Sequence, residues 1–223
     1  MRVNIFPISF HRSTLSCQIL LSCAVLVFSA SMCIATTKGL NQIVTPDIQP
    51  AGQLSLSLQL QDVRIGNTTE LQQELGISKN FEFAMFEGFS PNDYLLNIEI
   101  GLINNRPWLL STGFINWSPK YGGIQPFLEG GYYKGSSEYI LGTIDVANQI
   151  LPLAGYAYQI NDKYQVMTDC EGGTGNFTSL GFTYSATPNF TINPALYFSN
   201  DHFDQVSPYI VFSYSFTAFV PHH

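Results

Sequence analysis

From residue 52 onward the chain alternates between apolar and polar positions. Leu54, Leu56, Leu58 and Leu60 interleave with Ser55, Ser57, Gln59 and Gln61. Successive side chains of a strand point to opposite faces, so this period of two predicts a strand with one oily and one wet face. Eleven similar segments follow, at 70–78, 81–89, 94–103, 108–117, 124–133, 139–147, 152–160, 164–171, 177–185, 190–199 and 208–217. They are eight to ten residues long, close to what a tilted strand needs to cross the hydrocarbon of a bilayer. Every second junction is tight and rich in turn formers: Ser78-Lys79-Asn80, Asn104-Asn105-Arg106-Pro107, Asn161-Asp162-Lys163 and Ala186-Thr187-Pro188-Asn189. The pattern predicts an all-β fold, a transmembrane antiparallel up-and-down β-barrel of about 12 strands over residues 52–217, with a tail at 218–223.

Aromatic residues mark one level of this barrel. Phe81, Trp108, Tyr139, Tyr164 and Phe190 each stand just after a short turn, and Phe216 closes the last segment at the corresponding height. Their spacings of 27, 31, 25, 26 and 26 residues match the length of one hairpin. A ring of aromatics at one height is an interfacial girdle, where amphipathic rings sit between lipid and water. The last segment sets Ile210, Phe212, Tyr214 and Phe216 on one face. This is similar to the terminal aromatic signal by which outer-membrane barrels are recognised by their assembly machinery, although here a tail follows it.

The first 35 residues differ from the rest. Arg2 and Arg12 precede an apolar run from Ile19 to Phe28, and small residues lead to Ala35. This is the pattern of a cleaved secretory signal peptide. Export through it removes two of nine basic residues and no acid, leaving seven basic against sixteen acidic side chains, a net charge of −9. Cys17, Cys23 and Cys33 depart with it and Cys170 stays alone, so no intrachain disulfide or cysteine metal site is expected. Residues 36–51 are too polar and proline-broken for a strand, which places them in the periplasm or tucked into the lumen.

The stretch Thr45-Pro46-Asp47-Ile48-Gln49-Pro50-Ala51-Gly52 resembles the leader ahead of the first strand in uncharacterised bacterial outer-membrane β-barrel proteins. The likeness continues through Gly155-Tyr156-Ala157-Tyr158 and Gly173-Thr174-Gly175-Asn176-Phe177. The resemblance implies a fold and an outer-membrane location, and no reaction.

With Phe83, Phe114, Val166, Ile192 and Phe212 turned towards lipid, the opposite faces line the interior. They carry Glu74, Glu82, Glu99, Glu129, Asp169 and Glu171, whereas the basic residues fall in the leader, turns and loops. Two interiors fit: a hydrated passage preferring cations, or a closed lumen in which carboxylates hydrogen-bond to Tyr, Gln, Ser and Asn. Inward Phe127, Tyr133 and Tyr197 are the candidates for filling a closed one. His202, flanked by Asp201 and Asp204, is the one histidine between strands, and it carries the alternative of an outer-membrane hydrolase. No serine stands in a nucleophile-elbow context. A third alternative is a soluble exported ligand-binding barrel. The expectation is therefore a passive channel or structural barrel, not an enzyme, with no catalytic residue, no metal and no cofactor. Its expected partners are outer-membrane lipid, the barrel-assembly machinery and small cations or solutes. With charged residues at 11% and basic ones in the minority, nucleic acid is not among them.

Overall fold

A computed structural model describes residues 39–220. The expected signal peptide at 1–35 lies outside the described residues, as do His222 and His223. Twelve strands follow one another: β1 (Gln53–Gln61), β2 (Thr69–Ser78), β3 (Phe81–Phe89), β4 (Asn92–Asn105), β5 (Trp108–Trp117) and β6 (Gln125–Lys134), then β7 (Ser137–Val146), β8 (Gln149–Asn161), β9 (Tyr164–Glu171), β10 (Phe177–Thr187), β11 (Phe190–Ser199) and β12 (Val206–Thr217). Each pairs antiparallel with its sequence neighbours, and β1 also pairs with β12, so the sheet closes into a barrel without edges. No helix among the described residues is long and apolar enough to cross a membrane, a statement that says nothing of strands.

The seam between β1 and β12 shows how the alternation works. Leu54, Leu56, Leu58 and Leu60 lie opposite Phe216, Tyr214, Phe212 and Ile210 on the outer surface. On the inner surface Ser55 meets Ser215 and Ser57 meets Ser213, each hydroxyl pair 2.7 Å apart. One face of the closing ladder is thus apolar and the other hydrogen-bonded. The same division runs around the wall, where Leu128, Leu141, Ile150, Leu180 and Leu196 are exposed outwards and Glu82, Glu99, Glu129 and Asp169 are buried within.

The N-terminal side of the barrel carries the short turns, and the longer connections, such as 62–68, 118–124 and 200–205, gather at the other end. Several hairpins are tighter than the sequence pattern suggests, two of them with positive φ in the turn. Lys134 pairs with Ser137 around Gly135, whose φ of +60° suits a residue without Cβ. Val146 pairs with Gln149 around Ala147 and Asn148, both with positive φ, as a two-residue hairpin turn requires. As a result β7 begins at Ser137, ahead of the expected 139, and Glu138 joins the inner wall.

Candidate functional site: the barrel lumen

The lumen is occupied by the chain's own N-terminal segment. At the rim Gly52 takes a φ of +82°, its N–H donates to the Gly76 carbonyl at 2.7 Å, and its carbonyl accepts from Ala218 at 2.7 Å. This reversal turns the residues before β1 back into the barrel. Leu40, Asn41, Ile43, Thr45, Ile48 and Gln49 are all buried there.

This segment forms no strand, so its backbone N–H groups need partners other than a ladder. The wall's carboxylates supply some of them. Asp169 on β9 accepts from the N–H of Gln42 at 2.8 Å and of Ile43 at 3.3 Å, and Glu82 on β3 accepts from the N–H of Gln49 at 2.7 Å. Side chains add further ties. Asn41 donates to Ser179 Oγ at 2.8 Å, Gln49 donates to Ser55 Oγ at 2.7 Å, and the Tyr197 hydroxyl donates to the Asn41 carbonyl. Asp169 is itself hydrogen-bonded by the Ser179 hydroxyl.

The two sides of the interior differ. Across β6 to β9, Leu40 and Ile43 of the segment pack with Phe127, Ile140, Ile144, Leu153, Ala157 and Met167 in a buried apolar cluster. Towards β1–β5, β11 and β12 lies a cavity of about 280 Å³ whose lining mixes polar and apolar side chains. Glu70, Glu74, Glu82, Glu99 and Glu171 line it together with Gln59, Gln72 and Asn97, and residues 39–44 form part of its boundary.

Of the six carboxylates singled out in the sequence, Glu74, Glu82, Glu99 and Glu171 border this cavity. Glu129 is buried on β6, and Asp169 is engaged with the N-terminal segment. Two further inner carboxylates are absent from that set of six. Glu70 accepts from Gln59 Nε2 at 3.2 Å, and Glu138 accepts from the Tyr133 hydroxyl at 2.5 Å. Glu138 is hidden because its strand starts earlier than the alternation suggests; Glu70 stands in the expected strand and in the phase of Glu74, a signal that was available. Arg106, in the turn between β4 and β5, lies 4.0 Å above the Tyr133 ring, at the same end of the barrel. Phe127 and Tyr197 are buried inward, as their phase suggests.

On the outer surface Trp108, Tyr132, Tyr139 and Tyr156 fall in direct cross-strand register over β5 to β8. Their successive ring centroids stand 4.4, 6.4 and 5.2 Å apart. Tyr164 stacks on Tyr184 at 5.1 Å. Phe81 begins β3 opposite Ile100. Phe190 pairs with Tyr214, and Phe216 lies one outward step nearer the rim. Tyr132, Tyr156 and Tyr184 end their strands' approach to the short turns, so a search confined to residues after a turn does not find them.

His202 sits in the exposed connection between β11 and β12. Its N–H donates to Ser199 Oγ at 3.3 Å, and Asp201 accepts from the N–H of Gly175 at 2.6 Å, so that carboxylate helps hold two loops together.

A closed antiparallel meander of twelve strands, apolar outside and with its carboxylates turned inside, has the architecture of a transmembrane β-barrel. No family profile matches this chain, and no curated protein matches it in sequence. Among solved structures it is similar to the KdgM porin, with a TM-score of 0.56 at 11% identity over 74% of this chain and 99% of that one. The KdgM porin in complex with disordered oligogalacturonate superposes equally well. The NanC porin gives a TM-score of 0.45 at 12% identity over 73% of this chain and 98% of that one. At such identity the KdgM likeness establishes the fold.

Proposed function

We propose that the chain is an integral outer-membrane β-barrel that serves as a passive channel for small cations or small polar solutes. The observation that carries this reading is the pairing of an apolar outer surface, rimmed by the Trp108, Tyr132, Tyr139 and Tyr156 rings, with an acid-lined cavity inside the same wall. The outer side chains find a solvent only in lipid, and backbone in lipid must be paired, which a closed ladder achieves. Six exposed leucines and isoleucines on one soluble protein's strands would instead make it aggregate: Leu128, Leu141, Ile150, Ile160, Leu180 and Leu196.

The sign of the lumen sets the solute class. Carboxylates confined in a narrow passage raise the local concentration of cations and exclude anions. The KdgM complex with oligogalacturonate does not transfer for this reason, since a chain of uronates would meet Glu70, Glu74, Glu82, Glu99 and Glu171. Recognition of the aromatic Ile210, Phe212, Tyr214 and Phe216 face by the barrel-assembly machinery belongs to the same reading.

The experiment is a reversal-potential measurement in planar bilayers across a potassium chloride gradient. It is recorded on the full chain and on a variant lacking residues 39–50, because those residues occupy the lumen. Cation preference, weakened by the joint change Glu99→Gln and Glu129→Gln, supports the reading; anion preference or membranes silent with both proteins overturns it.

A further inference from the structure

The inner wall repeats a pattern that passage of solute does not require. Glycines stand at inward positions on alternate strands: Gly76 on β2, Gly101 on β4, Gly131 on β6, Gly155 on β8 and Gly181 on β10. They recur every 25, 30, 24 and 26 residues, one per hairpin. On the first three of these strands the preceding inward residue is a glutamate, in Glu74-Leu75-Gly76, Glu99-Ile100-Gly101 and Glu129-Gly130-Gly131.

Glycine inside a strand is unfavourable, for it adds backbone freedom to the unfolded chain and offers nothing to pack. At three of these sites the wall does not demand it. A Cβ at Gly101, Gly131 or Gly155 would find the nearest wall atoms at 3.7, 3.6 and 3.5 Å, ordinary contact. What it would strike is the N-terminal segment. It would come 2.8 Å from Ile48 Cγ1 at Gly101, 2.8 Å from Pro46 Cγ at Gly131 and 3.0 Å from Ile43 Cδ1 at Gly155, where Leu40 is nearer still. At Gly76 it would run into the carbonyls of Gln49 and Pro50; at Gly181 it would meet Asn41 of the segment and also the wall's own Ala195 Cβ and Pro194 carbonyl, each at 2.8 Å, so there the wall requires the glycine as well. Gly113 and Gly142 differ, since there a Cβ would collide with the barrel's own backbone.

Residues 50 down to 41 therefore pass β2, β4, β6, β8 and β10 in turn, circling the inner wall from glycine to glycine, and Leu40 returns to β8. Asp169 and Glu82 accept their backbone N–H groups on the way. We propose that this is a peptide-binding track, glycines for close approach and carboxylates for amide capture, whose ligand is the chain's own segment 39–50 and whose occupation closes the channel. The proposal builds on the channel reading and assigns the acidic wall a second task. Because the segment is joined to β1 only through the turn at Gly52, it can leave the track without breaking any strand pairing.

The test refolds each protein in detergent and first scores folding by heat-modifiable gel migration. In a Cys170→Ser background, Asn41→Cys and Ser179→Cys should crosslink on oxidation, since the native side chains are 2.8 Å apart. Adding Gly131→Val and Gly155→Val should abolish the crosslink in a barrel that still folds. Gly130→Ala, on the outer face, should leave it intact. In bilayers the variant lacking 39–50 should conduct at least about tenfold more than the full chain. A synthetic peptide of residues 36–52, added on the short-turn side, should block it again. A crosslink that survives both valines overturns the track. Equal conductance of the full chain and the deletion overturns closure and leaves the channel standing. Silence of both in folded form overturns the channel and closure together, while the crosslink pattern still decides the track.

Discussion

The backbone N–H of Gln49 donates to Oε2 of Glu82 across 2.7 Å, tying the N-terminal segment to β3 at a site where Glu82 is almost fully buried. Removing the acceptor of a buried hydrogen bond leaves the N–H unsatisfied, at a cost of about 1–3 kcal/mol. Glu82→Ala should therefore lower unfolding stability by about that amount, and Glu82→Gln by less, since the amide oxygen still accepts. Urea titration of the folded barrel in micelles, followed by tryptophan fluorescence, measures both.

The outer face should reject charge. Phe212→Arg or Ile192→Arg should impair folding into bilayers by about 2–4 kcal/mol if the position lies near the midplane. Gln72→Arg, which points into the cavity beside Glu70 and Glu74, should cost less. Equal sensitivity at inner and outer sites would show that the faces are misassigned. Folding yields in vesicles across a urea series provide the comparison.

Gly113 presses on the neighbouring strand, for a Cβ there would meet the backbone of Ile98 and Glu99. Gly113→Ala should destabilise the pairing of β4 with β5 by about 1–3 kcal/mol through overpacking. Gly130→Ala, whose Cβ would have 3.8 Å of clearance, should be neutral. Hydrogen exchange at the β4 and β5 amides distinguishes a local from a global loss.

The paired rings should contribute beyond their area. Trp108 and Tyr132, with centroids 4.4 Å apart, should show a coupling of about 0.5–1.5 kcal/mol in a double-mutant cycle to alanine. Additive effects would mean that each ring meets only lipid.

Outside the strands, Arg64 beside Asp62 holds that carboxyl down to about 2, mainly through the side-chain hydrogen bond at 2.8 Å. A lowered carboxyl favours the folded loop above its ordinary pKa and loses that contribution as the pH falls towards 2. Carbon-detected NMR titration should find Asp62 at about 2 in the native chain. In Arg64→Ala it should return to about 3.9.

The alternation of residues 54–61 and its eleven successors by itself determined the strands, their faces and the closed antiparallel barrel, because the side-chain period of a strand is local and each hairpin carries its own turn residues. Phe81, Trp108, Tyr164 and Phe190 open strands where the pattern places them. The inward placement of the carboxylates follows from the same parity. Only the tertiary structure decided what the interior holds. Asp169 and Gln42 stand 127 positions apart, and nothing in either neighbourhood joins them. The Glu-x-Gly repeats were visible in the chain, yet a glycine shows no partner until closure of the wall brings Gly101 to Ile48 and Gly131 to Pro46. Local periodicity dictates which way a side chain points, but what it meets across a lumen depends on how the sheet curves and where the preceding segment turns, and both are settled by long-range pairing of β1 with β12.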